Sequence, residues 1–169
     1  MPIILIGGGS RSGKSTYALA RAREIGERLG FIATAEAHDE EMEQRIARHR
    51  EDRPADFTTI EEPLNLCDAL IGCEGRFDAV VIDCLTLWLS NLMLTECSDL
   101  EGAFTELIHT SRKSGFSILL VTNEVGCGVV PDTELGRRFR DAAGRLNQLV
   151  AGAACEVHWT VFGIPVRVK

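Results

Sequence analysis

Eight consecutive residues near the N-terminus have the types and spacing that phosphate chemistry needs. Gly8, Gly9, Ser10, Arg11, Ser12, Gly13, Lys14 and Ser15 satisfy G-x-x-x-x-G-K-[ST] at every required position. Glycines let backbone N–H groups turn inward around phosphate oxygens, and a helix N-terminus adds a favourable dipole. Lys14 would reach the β- and γ-phosphates, and the Ser15 hydroxyl would ligate Mg²⁺. A separate acid, Asp83, ends the apolar run Ala79-Val80-Val81-Ile82. An acid at the C-terminal edge of a buried parallel strand lies beside the ligand crevice, where it suits a metal directly or through water. Its other reading is as a cap for the next helix. Together these residues imply a nucleoside triphosphate with Mg²⁺ and phosphoryl transfer, and they leave the acceptor unnamed.

A second constellation surrounds His49. Arg45, Arg48, Arg50 and Arg53 lie within a few residues of it, interleaved with Glu51 and Asp52. Arginines pair bidentately with phosphates and neutralise charge developing there. A neutral imidazole among them could attack phosphorus, and neighbouring guanidinium groups favour the neutral ring. The competing reading is a solvated, ion-paired helix face. A third group follows the strand expected over 117–122. Asn123 and Glu124 stand where a sheet would meet its crevice, and Arg137, Arg138 and Arg140 follow on the next helix. A kinase needs cationic groups beyond its loop lysine, and the alternative is a basic outer face. His38, His109 and His158 have no comparable company.

These groups require a scaffold of short apolar runs alternating with amphipathic stretches. Strands are expected over 3–6, 31–33, 57–60, 79–83, 117–122, 156–162 and 165–168, with a turn at Gly163. Helices are expected over 14–29, 39–50, 63–71, 85–94, 100–113 and 134–150. Ser98 or Asp99 would cap the helix over 100–113. Leu135, Phe139, Ala142, Leu146 and Leu149 would form the apolar stripe of the last helix. Alternation of this kind argues for an open, mostly parallel sheet covered on both faces. With no linker or repeat, residues 1–169 read as a single nucleotide-binding domain.

Composition narrows the class. The chain has 169 residues, with 25 acidic and 18 basic side chains and a net charge of −7. That balance argues against a nucleic-acid or anionic-membrane surface while permitting a local basic pocket. No apolar run is long enough to span a bilayer. The six cysteines include no C-x-x-C pair, so they read as reduced and mostly buried thiols of a cytoplasmic protein.

Taken together, the segments resemble the bifunctional adenosylcobinamide kinase/adenosylcobinamide-phosphate guanylyltransferase family of cobalamin biosynthesis. The resemblance rests on residues 7–15, Phe31-Ile32-Ala33-Thr34-Ala35, Arg45-Ile46-x-x-His49-Arg50-x-x-Arg53-Pro54 and Glu61. Residues 83–92, Thr122-Asn123-Glu124-Val125-Gly126 and Arg138-Phe139-Arg140-Asp141 complete it. It implies a RecA-like P-loop NTPase fold of the α/β class. It implies two reactions, phosphorylation of adenosylcobinamide by ATP or GTP and then transfer of GMP from GTP to the resulting phosphate. The second would pass through a GMP–histidine intermediate on His49. Guanine-nucleotide contacts map onto Gly8–Ser15, Ala33, Thr34, Ala35, Arg50, Glu51, Asp52, Arg53, Glu61 and Asp83. The partners so implied are a corrinoid, a nucleoside triphosphate with Mg²⁺, and further copies of the chain in a homotrimer. A plain P-loop small-molecule kinase and a regulatory ATPase are the competing classes. Phe57 stands where tryptophan is expected in many members, and Asp83 where some carry glutamate.

Overall fold

The computed structural model describes residues 2–36 and 55–169. The helix expected over 39–50 lies outside the described residues, and so do His49, Arg50, Glu51, Asp52 and Arg53.

Each short apolar run forms a strand. These are β1 (Ile3–Gly8), β2 (Leu29–Ala33), β3 (Phe57–Glu61), β4 (Ala79–Asp83), β5 (Ser117–Asn123), β6 (Glu156–Val161) and β7 (Ile164–Arg167). They make one seven-stranded sheet in the order β3-β2-β4-β5-β1-β6-β7. All neighbours pair in parallel except β6 with β7. The described helices are α1 (Lys14–Ile25), α2 (Leu66–Gly72), α3 (Leu85–Leu94), α4 (Leu100–Lys113) and α5 (Glu134–Ala153).

Strand alternation divides the apolar side chains between two cores. Ile3 and Leu5 join Val80, Ile82, Ile118 and Leu120 beneath Leu66, Trp88, Phe104, Leu107 and Leu146 from α2 to α5. Ile4 and Ile6 join Val81, Leu119 and Val121 on the other face, against Ala18 and Ala22 of α1. Both alanines have no exposed surface, so α1 lies close on the sheet directly behind the glycine loop. That proximity fixes where the loop's last residues sit.

Several expected boundaries move, each for a local reason. α1 ends at Ile25 and not at 29. The Asp78 carboxylate accepts from the backbone N–H groups of Glu27 (3.2 Å) and Arg28 (2.9 Å), which turns the chain into β2. α2 begins at Leu66 and not at 63, because the Glu62 carboxylate accepts from the N–H groups of Leu64 and Asn65 and makes a turn there. Asp99 is the cap of α4, accepting from Gly102 N at 2.8 Å. The stripe of α5 is centred on Ala143, Leu146 and Val150, while Leu135 is 55% exposed. β6 stops at Val161, and Phe162 (φ 52°) with Gly163 (φ 82°) makes the two-residue hairpin turn. The six thiols are free, but only Cys73 and Cys84 are buried, and Cys127 and Cys155 are exposed. Expecting mostly buried cysteines was therefore incorrect.

Asp78 also receives Arg28 Nε at 3.0 Å and NH2 at 2.6 Å. The Arg28 guanidinium and then the backbone donors hold its carboxyl down at about 2. A depressed carboxyl stabilises the fold above the ordinary carboxylate pKa, near ~4, and stops doing so as pH falls through its folded value. The urea midpoint of Asp78→Asn should therefore lie below that of the native chain at neutral pH. The gap should close between about pH 4 and pH 2. A gap that stays constant across that window would remove Asp78 as the source of this acid sensitivity.

Candidate functional site

The glycine loop connects β1 to α1 at the C-terminal edge of the sheet. Its turn places Arg11 at φ 55° and Gly13 at φ 91°. Gly13 precedes α1 directly, and its carbonyl accepts from Tyr17 N at 2.9 Å. A Cβ on Gly8 would stand 2.5 Å from Ser12 Oγ and 2.7 Å from the Thr160 carbonyl, so only glycine fits there. One on Gly9 would meet nothing within 4 Å. Lys14 is buried, and its Nζ folds back to donate to Gly9 O at 3.1 Å. Ser12 Oγ is a buried polar atom without a hydrogen-bond partner, as is Thr160 Oγ1 on the adjacent strand. Unpartnered buried hydroxyls are rare and call for a ligand or water, so the loop is built as a polar cradle awaiting acceptor atoms.

Two neighbouring loops grip this cradle through backbone hydrogen bonds. Glu124 N, just past β5, donates to Gly8 O at 3.1 Å. Gly163 N, in the β6–β7 turn, donates to Ser12 O at 2.9 Å. The register that sets Gly8 beside Asn123 and Thr160 makes both contacts possible.

Asp83 ends β4, and Ala33 lies opposite both Asp83 and Glu61 across β2. Of the residues predicted from sequence, Gly8 to Ser15, Ala33, Thr34, Ala35, Glu61 and Asp83 thus gather at the same edge of the sheet. The N-cap of α3 is Cys84, whose own side chain makes no cap bond. The half-buried Ser15 and Asp83 offer the hard oxygen donors that Mg²⁺ prefers, alongside phosphate oxygens. Among the described residues no group of three His, Cys, Asp or Glu could hold a metal by itself.

Thr34 also joins two strand ends. Its side chain is fully buried, donating to Cys84 O and accepting from Cys84 N, each at 2.8 Å. Asn91 of α3 then donates to Thr34 O at 2.8 Å and to Pro63 O at 3.0 Å. Trp88 Nε1 reaches Leu64 O at 2.8 Å. α3 therefore ties the end of β2 to the chain after β3. Thr86 Oγ1 accepts from Asn123 N at 2.8 Å, and Thr122 donates to Asn147 Oδ1 at 2.7 Å. The sequence did carry a signal for Thr86 and Asn91, since both are polar interruptions of a largely apolar helix. Burial, with the Asp83 charge beside it, pushes the Cys84 thiol up to about 11 and leaves it unreactive at neutral pH.

Beneath α1, His158 of β6 shares a hydrogen bond with Tyr17 Oη (3.2 Å) and pairs with Glu156 (3.0 Å). Arg21 reaches Glu156 at 3.2 Å. His158, and then Arg21, hold the Glu156 carboxyl below its usual range. This network supports the helix behind the loop, and only the pairing of β6 with β1 assembles it. A hollow of about 580 Å³ lined by Ile25, Arg28, Phe77, Asp78 and Ser117 lies at the opposite edge of the sheet, away from these groups.

A family model described as cobinamide kinase/cobinamide phosphate guanyltransferase matches residues 4–168. The chain belongs to this family. The bifunctional adenosylcobalamin biosynthesis protein CobP of Pseudomonas aeruginosa is 46% identical over 168 residues, 98% of this chain and 96% of that one. The protein CobU of Salmonella typhimurium, of the same description, is 38% identical over 182 residues, 99% of each. The chain is accordingly a bifunctional cobalamin-biosynthesis enzyme, kinase and guanylyltransferase. The RadB recombinase structure covers 94% of this chain and 73% of its own, with a TM-score of 0.56 at 15% identity. That likeness establishes the RecA-like P-loop NTPase fold. No helix among the described residues is long and apolar enough to cross a membrane.

The two adjacent loop glycines make a direct test of the cradle. Gly8→Ala should lower unfolding stability by about 1–3 kcal/mol, because backbone and not only a flexible side chain blocks the added methyl. Gly9→Ala should shift it by less than about 0.5 kcal/mol. Denaturant midpoints of the two variants measure this, and equal losses would contradict the packing described for Gly8.

Proposed function

We propose that this enzyme phosphorylates the hydroxyl of adenosylcobinamide with ATP or GTP, and then transfers GMP from GTP to the phosphate so formed. The backbone N–H groups of Gly8 to Ser15 receive the triphosphate. Lys14 leaves Gly9 O and turns to the β- and γ-phosphates, a switch that costs one hydrogen bond and gains a charge-assisted one. Ser15 and Asp83 hold Mg²⁺, which when bound offsets the charge of those phosphates. Catalysis of the first step is then mainly alignment and charge neutralisation.

In the second step a His49 ring nitrogen attacks the α-phosphorus of GTP. The bond to the bridging oxygen breaks and pyrophosphate leaves. An oxygen of cobinamide phosphate then displaces the histidine, giving adenosylcobinamide-GDP and the free ring. Arg50 and Arg53 steady the charge in transfer, and Ala33, Thr34, Ala35, Glu51, Asp52 and Glu61 line the guanine nucleotide. Thr34 does so by packing and by fixing its neighbours Ala33 and Ala35, since its hydroxyl is committed to Cys84 and its N–H and carbonyl to Asp83 O and Asn91. The protein works in the cytoplasm as a homotrimer. The observation supporting this reading is the family match over 4–168, a span containing the cradle and His49 together.

Labelled nucleotides decide it. With α-labelled GTP, the native protein should retain a label that is acid-labile and alkali-stable after denaturation. With γ-labelled nucleotide, it should label cobinamide. His49→Ala should lose the α-label and keep the phosphorylation of cobinamide, while Lys14→Ala should lower both by at least about a hundredfold. A native protein that phosphorylates cobinamide without ever being labelled would be a plain kinase. One that hydrolyses nucleotide and modifies no cobinamide would be a regulatory ATPase.

A further inference from the structure

We infer that the loop over 124–131, with the first turns of α5, is the platform on which the corrinoid acceptor docks. The inference rests on the function proposed above, which makes a corrinoid the acceptor.

The loop is fastened far more than a connection requires. Glu124 N is bonded to Gly8 O, and the Glu124 carboxylate accepts from Gly126 N. Arg140 donates to Gly126 O at 2.7 Å, and Arg137 to Pro131 O at 3.1 Å and Asp132 O at 2.9 Å. Val125 packs against the core. Pro131 lies directly on the first turn of α5, where a Cβ on Gly136 would come within 2.7 Å of it. Two arginines thus use their donors to hold loop backbone, and the segment between the fastenings is presented outward.

What it presents is apolar. Val129 is 95% exposed, Val130 62% and Leu135 55%. Isolated exposed apolar side chains are ordinary, but here Pro131 brings Val130 and Leu135 to one end of α5. Arg138 follows Leu135 by three residues, on the same helix face. It is exposed and has no hydrogen bond or ion pair among the described residues. An apolar surface beside an uncommitted guanidinium suits a macrocycle with apolar faces whose side arm carries a phosphate once the first reaction is complete.

Topology places this surface on the correct side of the cradle. β5 lies between β1, which carries the glycine loop, and β4, which carries Asp83. The end of β5 thus lies between the glycine loop and Asp83, so an acceptor that reaches a phosphate held by both would approach over the loop that begins there. Exposed Phe162 and Ile164 flank the β6–β7 turn, on the side of the cradle away from Asp83.

Cys127 is exposed within the loop and is a native reporter, and exposed Cys155, ahead of β6, is its internal control. Iodoacetamide labelling of the full chain, read by peptide mass spectrometry, is run with and without saturating adenosylcobinamide. Corrinoid binding is measured in parallel by equilibrium dialysis. Cobinamide should slow Cys127 alkylation at least fivefold and leave Cys155 unchanged. The Val129→Asp/Val130→Asp variant, whose sites are exposed and safe for folding, should raise the KM for cobinamide at least tenfold. Its KM for nucleotide should move less than twofold. Bound cobinamide with unprotected Cys127 overturns the platform and leaves the proposed function standing. A variant that dissociates an oligomer without changing the cobinamide KM overturns it too, by assigning the surface to subunit contact. A native protein that binds no cobinamide overturns both readings.

Discussion

The parallel register that sets Gly8 between Asn123 and Thr160 is the constraint on which the rest of the molecule depends. It lets the loop after β1 take one backbone hydrogen bond from the loop after β5 and another from the turn after β6. A glycine-rich loop has much conformational freedom to lose. Here the loss is met before any ligand arrives, since the carbonyls of Gly8, Gly9 and Ser12 already have partners in Glu124 N, Lys14 Nζ and Gly163 N. What stays unpartnered is Ser12 Oγ, a buried hydroxyl on the cradle itself. With its backbone fixed in this way, the loop needs only the Lys14 side chain to turn when a charged group is bound.

The same economy runs through the neighbouring strands. Thr34 and Cys84 bond reciprocally, and Asn91 draws Thr34 and Pro63 to α3, so the ends of β2 and β4 and the chain after β3 move as one body. These buried polar bonds are fully paired, the condition under which such networks rigidify a site and do not weaken it. The glycine loop and the Asp83 edge are therefore each cross-linked by hydrogen bonds and joined through β5. The loop that leaves β5 is braced by Arg137 and Arg140 and is the natural place for a large acceptor to meet them.

Much of this was legible in the residues. The glycine loop, the acid ending β4, the strand–helix alternation and the Asp99 cap all follow from local chemistry, because each depends on a few adjacent residues. The errors came where a distant partner intervenes. α1 stops at Ile25 because Asp78, just ahead of β4, captures the N–H groups of Glu27 and Arg28. Leu135 looked like part of a helix stripe, yet α5 turns its packed face to Ala143, Leu146 and Val150. The Thr34 hydroxyl goes to Cys84, fifty residues away in sequence, a partner that no local pattern indicates. His158 was unremarkable in sequence and sits in a network with Tyr17 and Glu156.

The phosphate-loop motif, the acid that ends β4 and the family to which the chain belongs can be read from the residues alone. These are written in residue type and short spacing, where glycine, lysine, serine and aspartate have few substitutes. Which carbonyls and hydroxyls are taken, which arginines brace a loop, and where apolar surface stays outside the core emerge once the chain is folded. Those outcomes depend on residues tens of positions apart meeting across the sheet, and strand order, which no local pattern encodes, sets who meets whom.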